Sequence, residues 1–200
     1  MQTRLARTMI MVCLVTLIGS FAYADTWQID PAHTNVQFSV RHMTISNVRG
    51  EFTKLSGTVT NDGTDPNKVQ IDATIDADSI DTRQAKRDED LKGPNFLDVK
   101  KYPTIVFKSK KIEPNGEGKW KLIGDLTLHG VTKEVTLDVE GPSKQVKDPR
   151  GNIHIGAVAT TTINRKDFGL VWNRTMDTGG LMVGEEVSIT IDVEVVKKAG

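Results

Sequence analysis

The strongest constraint on this chain is a period-two alternation of apolar and polar residues that returns from one end to the other. Val36, Phe38 and Val40 alternate with Gln37, Ser39 and Arg41, and Val69, Ile71, Ala73 and Ile75 alternate with Gln70, Asp72, Thr74 and Asp76. The pattern recurs at Ile105-Phe107, Trp120-Leu122, Leu126-Leu128, Val135-Leu137-Val139, Ile153-Ile155-Ala157-Ala159 and Val187-Ile189-Ile191-Val193-Val195. Successive side chains of a strand point to opposite faces, so each run has one dry and one wet face. That is the pattern of antiparallel sheet buried on a single side.

Turn residues separate the runs. Asn61-Asp62-Gly63, Pro114-Asn115-Gly116, His129-Gly130 and Asp148-Pro149-Arg150-Gly151 supply positive or preset φ where a hairpin reverses. One stretch reads as a helix: Asp81 or Thr82 as cap, then Arg83 to Lys92, stopped by Gly93-Pro94. About eight hairpin-connected strands with one short helix predict a barrel or a sandwich. The dry face mixes large residues (Phe38, Phe107, Trp120) with small ones (Ala73, Ala157, Ala159). An eight-stranded barrel with such an interior is either filled by its side chains or holds one small ligand. The charged helix face Arg83 to Asp90 reads as solvated surface, on a helix placed where it can close one end of a barrel.

The first 24 residues read as a leader. Arg4 and Arg7 form a basic start, Met9 to Ile18 an apolar core, and Ala22-Tyr23-Ala24 a small-x-small cleavage site. The apolar run is too short for a membrane-spanning helix, which needs about 20 residues. A mature chain is expected to begin at Asp25, to form one domain over residues 25–200, and to reside in the periplasm. Cys13 is the chain's only cysteine and would leave with the leader, so no disulfide is expected. Loss of Arg4 and Arg7 leaves 24 basic residues against 26 acidic ones. Such a balance offers no footprint for nucleic acid. An outer-membrane barrel would show similar alternation, but with aromatic girdles. Here aromatic residues are 6% of the chain and Trp27, Trp120 and Trp172 stand singly, so the domain is not expected to span a membrane.

Catalytic and metal motifs are sparse. His33 and His42 flank the first strand, His129 lies in a turn, and His154 falls on a wet face. None belongs to a close pair of the H-x-x-x-H or C-x-x-C kind, so no metal site is expected from spacing. Asn61 to Asp65 resembles a calcium loop faintly, without its terminal glutamate. The mature chain has no cysteine and no G-x-S-x-G elbow. In Asn164-Arg165-Lys166-Asp167-Phe168-Gly169, Arg165 and Asp167 would share a strand face, as a structural ion pair or as a clamp for a polar head group.

Trp27 to Thr34 with Val36 to Met43, Val48-Arg49-Gly50-Glu51-Phe52 with Gly57, and Thr82, Arg87-Asp88 and Leu91 form one ordered set of segments. Phe96, Asp98, Tyr102-Pro103 and Phe107 follow, then Gly124 to Lys133, Ile163-Asn164-Arg165, Asp167-Phe168-Gly169 and Val183-Gly184. Taken in order, these segments resemble the YceI-like family of exported, lipocalin-like proteins. Thr34 stands where serine is common, and Leu97 where a second aromatic is common. The resemblance covers nearly all of residues 25–200. It implies an elongated eight-stranded antiparallel barrel around a long apolar tunnel that binds polyisoprenoid, isoprenoid-quinone or fatty-amide-like lipid in the periplasm. It implies no catalytic activity and no cofactor beyond the lipid.

On that expectation the tunnel wall is Phe38, Val40, Ile71, Ile75, Phe107, Trp120, Leu122, Leu137 and Ile155, and the mouth is His42, Asn164, Arg165 and Asp167. The role would be transport, storage or sensing, with a homodimer open. Two rivals remain: an enzyme acting on an isoprenoid or quinone head group, and a ligand-free structural or stress-related protein with a filled core.

Overall fold

Alternation becomes closure in the computed structural model, which describes residues 25–61, 68–177 and 179–199. The proposed leader and Asp62-Gly63 lie outside the described residues. Among those described, the strands are β1 (Asp25–Ile29), β2 (Asn35–His42), β3 (Ser46–Phe52), β4 (Leu55–Asn61), β5 (Gln70–Asp76) and β6 (Ile80–Asp81). After helix α1 (Ala85–Lys92) come β7 (Thr104–Pro114), β8 (Lys119–Leu128), β9 (Val131–Glu140), β10 (Val146–Lys147), β11 (Ile153–Asn164) and β12 (Val183–Lys197). Neighbours pair antiparallel throughout one sheet.

Three pairs of short strands each act as one long stave. β1 and β2 both lie along β12, with Ile29 opposite Val195 and Asn35 opposite Asp192. β3 pairs with β2 and β6, while β4 pairs with β1 and β5. The staves therefore run β1/β2, β3/β4, β5/β6, β7, β8, β9, β11 and β12, an eight-stranded antiparallel barrel with one short helix. β12 closes it by pairing along all of β11, from Ile153 opposite Lys197 to Asn164 opposite Glu186. Closure removes the unpaired edges that an open sheet of this length would expose.

The break between β1 and β2 is a bulge. Residues 30–34 stand opposite only residues 193–194. Pro31 has no N–H to give the ladder, and the Asp30 carboxylate accepts instead from the Ala32 N–H at 2.9 Å. The Thr34 hydroxyl then restores pairing, donating to the Glu194 carbonyl and accepting from the Glu194 N–H at 3.1 Å.

Helix α1 starts later than the sequence predicts. Arg83 has φ 62°, a left-handed conformation that cannot continue a helix, and Gln84 is the N-cap, accepting from the Arg87 N–H at 2.6 Å. Thr82 is buried instead: its N–H and hydroxyl donate to Asp88, and Arg87 Nε donates to its hydroxyl at 2.8 Å. Gly93 caps the C-terminus as expected.

The outer face of β5, β7, β8 and β9 is a charged ladder. Lys108 pairs with Asp72 at 3.3 Å, Lys110 with Asp125 and Glu134 at 2.5 and 3.2 Å, and Lys121 with Asp138 at 2.5 Å. Inside, most buried apolar residues form two clusters. Ala77, Ile80, Leu97, Ile105, Leu128, Ile163, Phe168 and Leu170 fill one end, and Leu122, Leu137 and Ala159 form a smaller cluster further along. No helix among the described residues is long and apolar enough to cross a membrane.

Candidate functional site

The interior holds a cavity of about 370 Å³. That volume lies within the usual range for ligand pockets. Every stave contributes to its wall mainly through inward residues of one parity, for example Ile71, Ala73 and Ile75 of β5 and Ile189, Ile191 and Val193 of β12, with Gln37 and Gly156 as exceptions. Helix α1 and the segment after it cover one end, where Leu91, Phe96 and Leu97 line the cavity with Leu170. Phe96 packs on Trp172 with ring centroids 5.0 Å apart, which ties that segment to the loop leading into β12.

Chemically the lining is nearly uniform. Among the described residues its polar side chains are Gln37, Thr161 and Arg165, with no carboxylate, imidazole, amine, thiol or phenol. Thr161 is occupied, its hydroxyl donating to the Thr136 carbonyl at 2.8 Å. Arg165 is 4% exposed and is also occupied. Its Nε donates to the Gly184 carbonyl at 2.8 Å, its Nη2 to Val183 at 3.4 Å, and its Nη1 to Leu170. Burial pushes its pKa down, opposed by the nearby Glu185 carboxylate. No buried side-chain nitrogen or oxygen among the described residues lacks a hydrogen-bond partner.

Eight of the nine wall residues expected from alternation line this cavity: Phe38, Val40, Ile71, Ile75, Phe107, Leu122, Leu137 and Ile155. Trp120 does not. Its parity matches Leu122, but it lies at the first turn of β8, and its indole N–H reaches out to the Gly141 carbonyl at 2.8 Å. A strand-end side chain is free to swing off its face because no further residue packs beyond it. The four mouth residues do cluster at one end, since His42 pairs with Val183 beside Arg165. Only Arg165 lines the cavity. Asn164 instead caps the 3₁₀ turn Arg165–Phe168, accepting from the Lys166 N–H at 2.9 Å. Asp167 is exposed on that turn, and His42 is half-buried on β2. The Arg165–Asp167 pair expected from strand spacing does not form, because residues 165–168 turn rather than extend and the guanidinium is spent on backbone carbonyls. Alternation missed the lining residues Leu91, which lies on helix α1, and Phe96, Leu97 and Leu170, which lie in irregular segments; none of these has a strand period to read.

A closed antiparallel barrel around an interior apolar cavity is the class of structure this chain defines. The YceI-like domain model matches residues 27–195, and the chain belongs to that family. A UPF0312 protein of Staphylococcus aureus (strain N315) is 35% identical over 167 residues, covering 82% of this chain and 94% of its own length. The crystal structure of Burkholderia cenocepacia BcnA superposes with a TM-score of 0.69 at 25% identity, over 83% of this chain and 98% of that one. A polyisoprenoid binding domain from Saccharophagus degradans shares the fold, with a TM-score of 0.62 at 16% identity over 86% of this chain and 98% of that one.

Proposed function

We propose that this chain is an exported, non-enzymatic lipid-binding protein that holds a long apolar chain of the polyisoprenoid type in its barrel for transport or storage. One observation carries the reading: an interior cavity whose wall, among the described residues, holds no carboxylate, imidazole, amine or thiol, and whose one hydroxyl, Thr161, is bound to a backbone carbonyl. Such a wall can exclude water and bury hydrocarbon, and it has nothing to move a proton or attack a bond. The Saccharophagus degradans domain, which bears the name of a polyisoprenoid-binding protein, supports the choice of ligand class. The leader-like residues 1–24 support export to the periplasm.

The energetics suffice without a specific polar contact. At about 25 cal/mol per Å², burying roughly 400 Å² of tail yields on the order of 10 kcal/mol, before association costs of several kcal/mol. Selectivity then comes from cavity length and cross-section. A head-group enzyme is the weaker reading, because the lining's one charged group, Arg165, is already committed to three carbonyls.

Mass spectrometry of an organic extract of the purified protein tests the proposal. A long-chain isoprenoid or similar lipid near one per protein is expected. Ala73, which lines the cavity beside Phe107, gives the matched variant. Ala73→Trp should remove most extracted lipid and leave the lipid-free protein nearly as stable as the parent. Destabilisation of about 1–3 kcal/mol with lipid retained would mean that the space at Ala73 belongs to a packed core.

A further inference from the structure

Spacing along the chain predicts no converging metal ligands, yet barrel closure assembles a set on the outer face. Glu194 and His154 are diagonal neighbours on β12 and β11, Glu194 standing opposite Gly156 and His154 opposite Val196, both on the parity opposite to the lining residues Ile155, Val193 and Val195. The bulge at residues 30–34 lays Asp30 and His33 over them. Asp30, His154 and Glu194 each offer a ligand atom within 4.8 Å of the others, and all three are half-buried. His154 Nδ1 lies 2.7 Å from Glu194 Oε1, His33 Nδ1 lies 2.9 Å from Asp30 Oδ2, and His33 Nδ1 lies 3.9 Å from Glu194 Oε1.

We propose that Asp30, His154 and Glu194, with His33 beside them, form a binding site for a divalent cation of the zinc class. Tetrahedral zinc with ligands at about 2.0–2.1 Å separates them by roughly 3.3 Å, and the observed separations bracket that value. One or two imidazoles with two carboxylates suit a borderline cation better than an all-oxygen site would. The outer partner of the imidazole is also built. His154 Nε2 faces Asp148 Oδ2 at 3.3 Å, which holds the proton on Nε2 and frees Nδ1 as the ligand. Asp148 is itself fixed by the Asn152 side chain and by the backbone N–H groups of Arg150 and Asn152, each at 2.8 Å.

Charge points the same way. Three carboxylates, Asp30, Asp148 and Glu194, converge here, and among the described residues their ion pairs within 4.0 Å are with imidazoles only. Lysine and arginine pair elsewhere on the barrel, on the ladder of β5 to β9 for example. With both histidines neutral the cluster carries net negative charge without a fixed counter-ion, and a divalent cation supplies it. The ion would join β11 and β12 to the bulge before β2, on the outer side of strands that line the cavity.

Purified protein, dialysed against a chelator and titrated with zinc chloride in phosphate-free buffer, tests the site by calorimetry and thermal melting. One saturable equivalent and a rise in Tm are expected. Glu194→Gln and His154→Gln should each weaken zinc binding at least tenfold, and Asp148→Asn about 10–100-fold. His42→Gln should leave affinity unchanged. Nitrogen-15 spectra of the histidine rings decide the matter in the unmutated protein, even if a variant fails to fold. Zinc should shift the His154 and His33 nitrogens and leave those of His42 and His129 in place. Absence of saturable binding, retention of full affinity in folded His154→Gln, or shifts confined to His42 and His129 would overturn the proposal.

Discussion

The two ends of strand β11 solve the same problem in opposite ways. At about 3.4 Å per residue, its twelve residues put His154 near one end and Arg165 just past the other, some 40 Å along the barrel wall. Arg165 is a permanent cation with no carboxylate within ion-pair distance; three backbone carbonyls satisfy it inside a packed end that includes Phe168 and Leu170, and Glu185 acts on it only from further off. His154 is a titratable cation held between two carboxylates in a half-exposed setting. A guanidinium cannot lose its proton in a protein, so contacts built on it persist at any pH the fold survives. Contacts built on imidazole change with conditions. One end of the barrel is therefore fixed, and the other is adjustable.

The largest expected effect lies at the fixed end. Phe168 is 2% exposed within the apolar cluster that closes it. Phe168→Ala should cost about 3–5 kcal/mol in denaturant unfolding, because the cavity it leaves collapses only in part. A loss below 1 kcal/mol would show that this end is not held by its apolar cluster.

Arg165→Met comes next. It keeps much of the side chain's bulk and removes the donors, leaving the carbonyls of Leu170, Val183 and Gly184 short of partners. A loss of about 2–3 kcal/mol is expected, with little dependence on pH between 5 and 9. If the loss vanished at one side of that interval, the contrast between the ends would fail.

At the adjustable end the effect is smaller and tied to pH. Hydrogen bonding to Glu194, with Asp148 adding to it, raises the His154 pKa, and Asp30 raises that of His33. A raised imidazole pKa gives stability that is complete below the unfolded value near 6.5 and is lost as pH rises through the folded value. Asp148 is lowered to about 2 by its bonds to Asn152, His154 and Arg150, which outweigh its desolvation. Its contribution is complete above the unfolded value near 3.9 and is lost as pH falls toward 2. Metal-free protein should therefore show its greatest amide protection around residues 153–155, after correction for the intrinsic pH dependence of exchange, between about pH 4 and 6.5. His154→Gln should flatten most of the alkaline limb, His33 keeping the rest, and should also weaken the acid limb by removing one of the bonds that lower Asp148. An unchanged alkaline limb in that variant would assign the titration elsewhere.

The smallest effect is expected on the outer ladder, away from both ends. Lys110→Ala removes pairs with Asp125 and Glu134 that are about half exposed. It should cost less than about 1 kcal/mol and fade as salt is added, measured by urea melts at two ionic strengths.

What was legible in the sequence was local parity. A strand turns its side chains over at every residue, so the run Val69 to Ile75 already names Ile71, Ala73 and Ile75 as inward wherever the strand ends up. The same logic placed Phe38, Phe107, Leu122, Leu137 and Ile155 on the cavity wall, and the resemblance to YceI-like proteins supplied the closure that parity alone leaves open between barrel and sandwich. Parity failed where the chain stops being regular. Trp120 leaves its face at a strand end to reach Gly141, Arg83 takes a left-handed φ and delays the helix, and residues 165–168 turn where a strand was expected to continue. Only the tertiary structure could decide the cluster at the far end. Asp30 and Glu194 are separated by nearly the whole domain, and no spacing rule connects them. The last stave pairs with the first, and the bulge at Pro31 folds outward over β12. Barrel closure makes them neighbours, because the unpaired edges at the two ends of the sheet find their hydrogen bonds in each other.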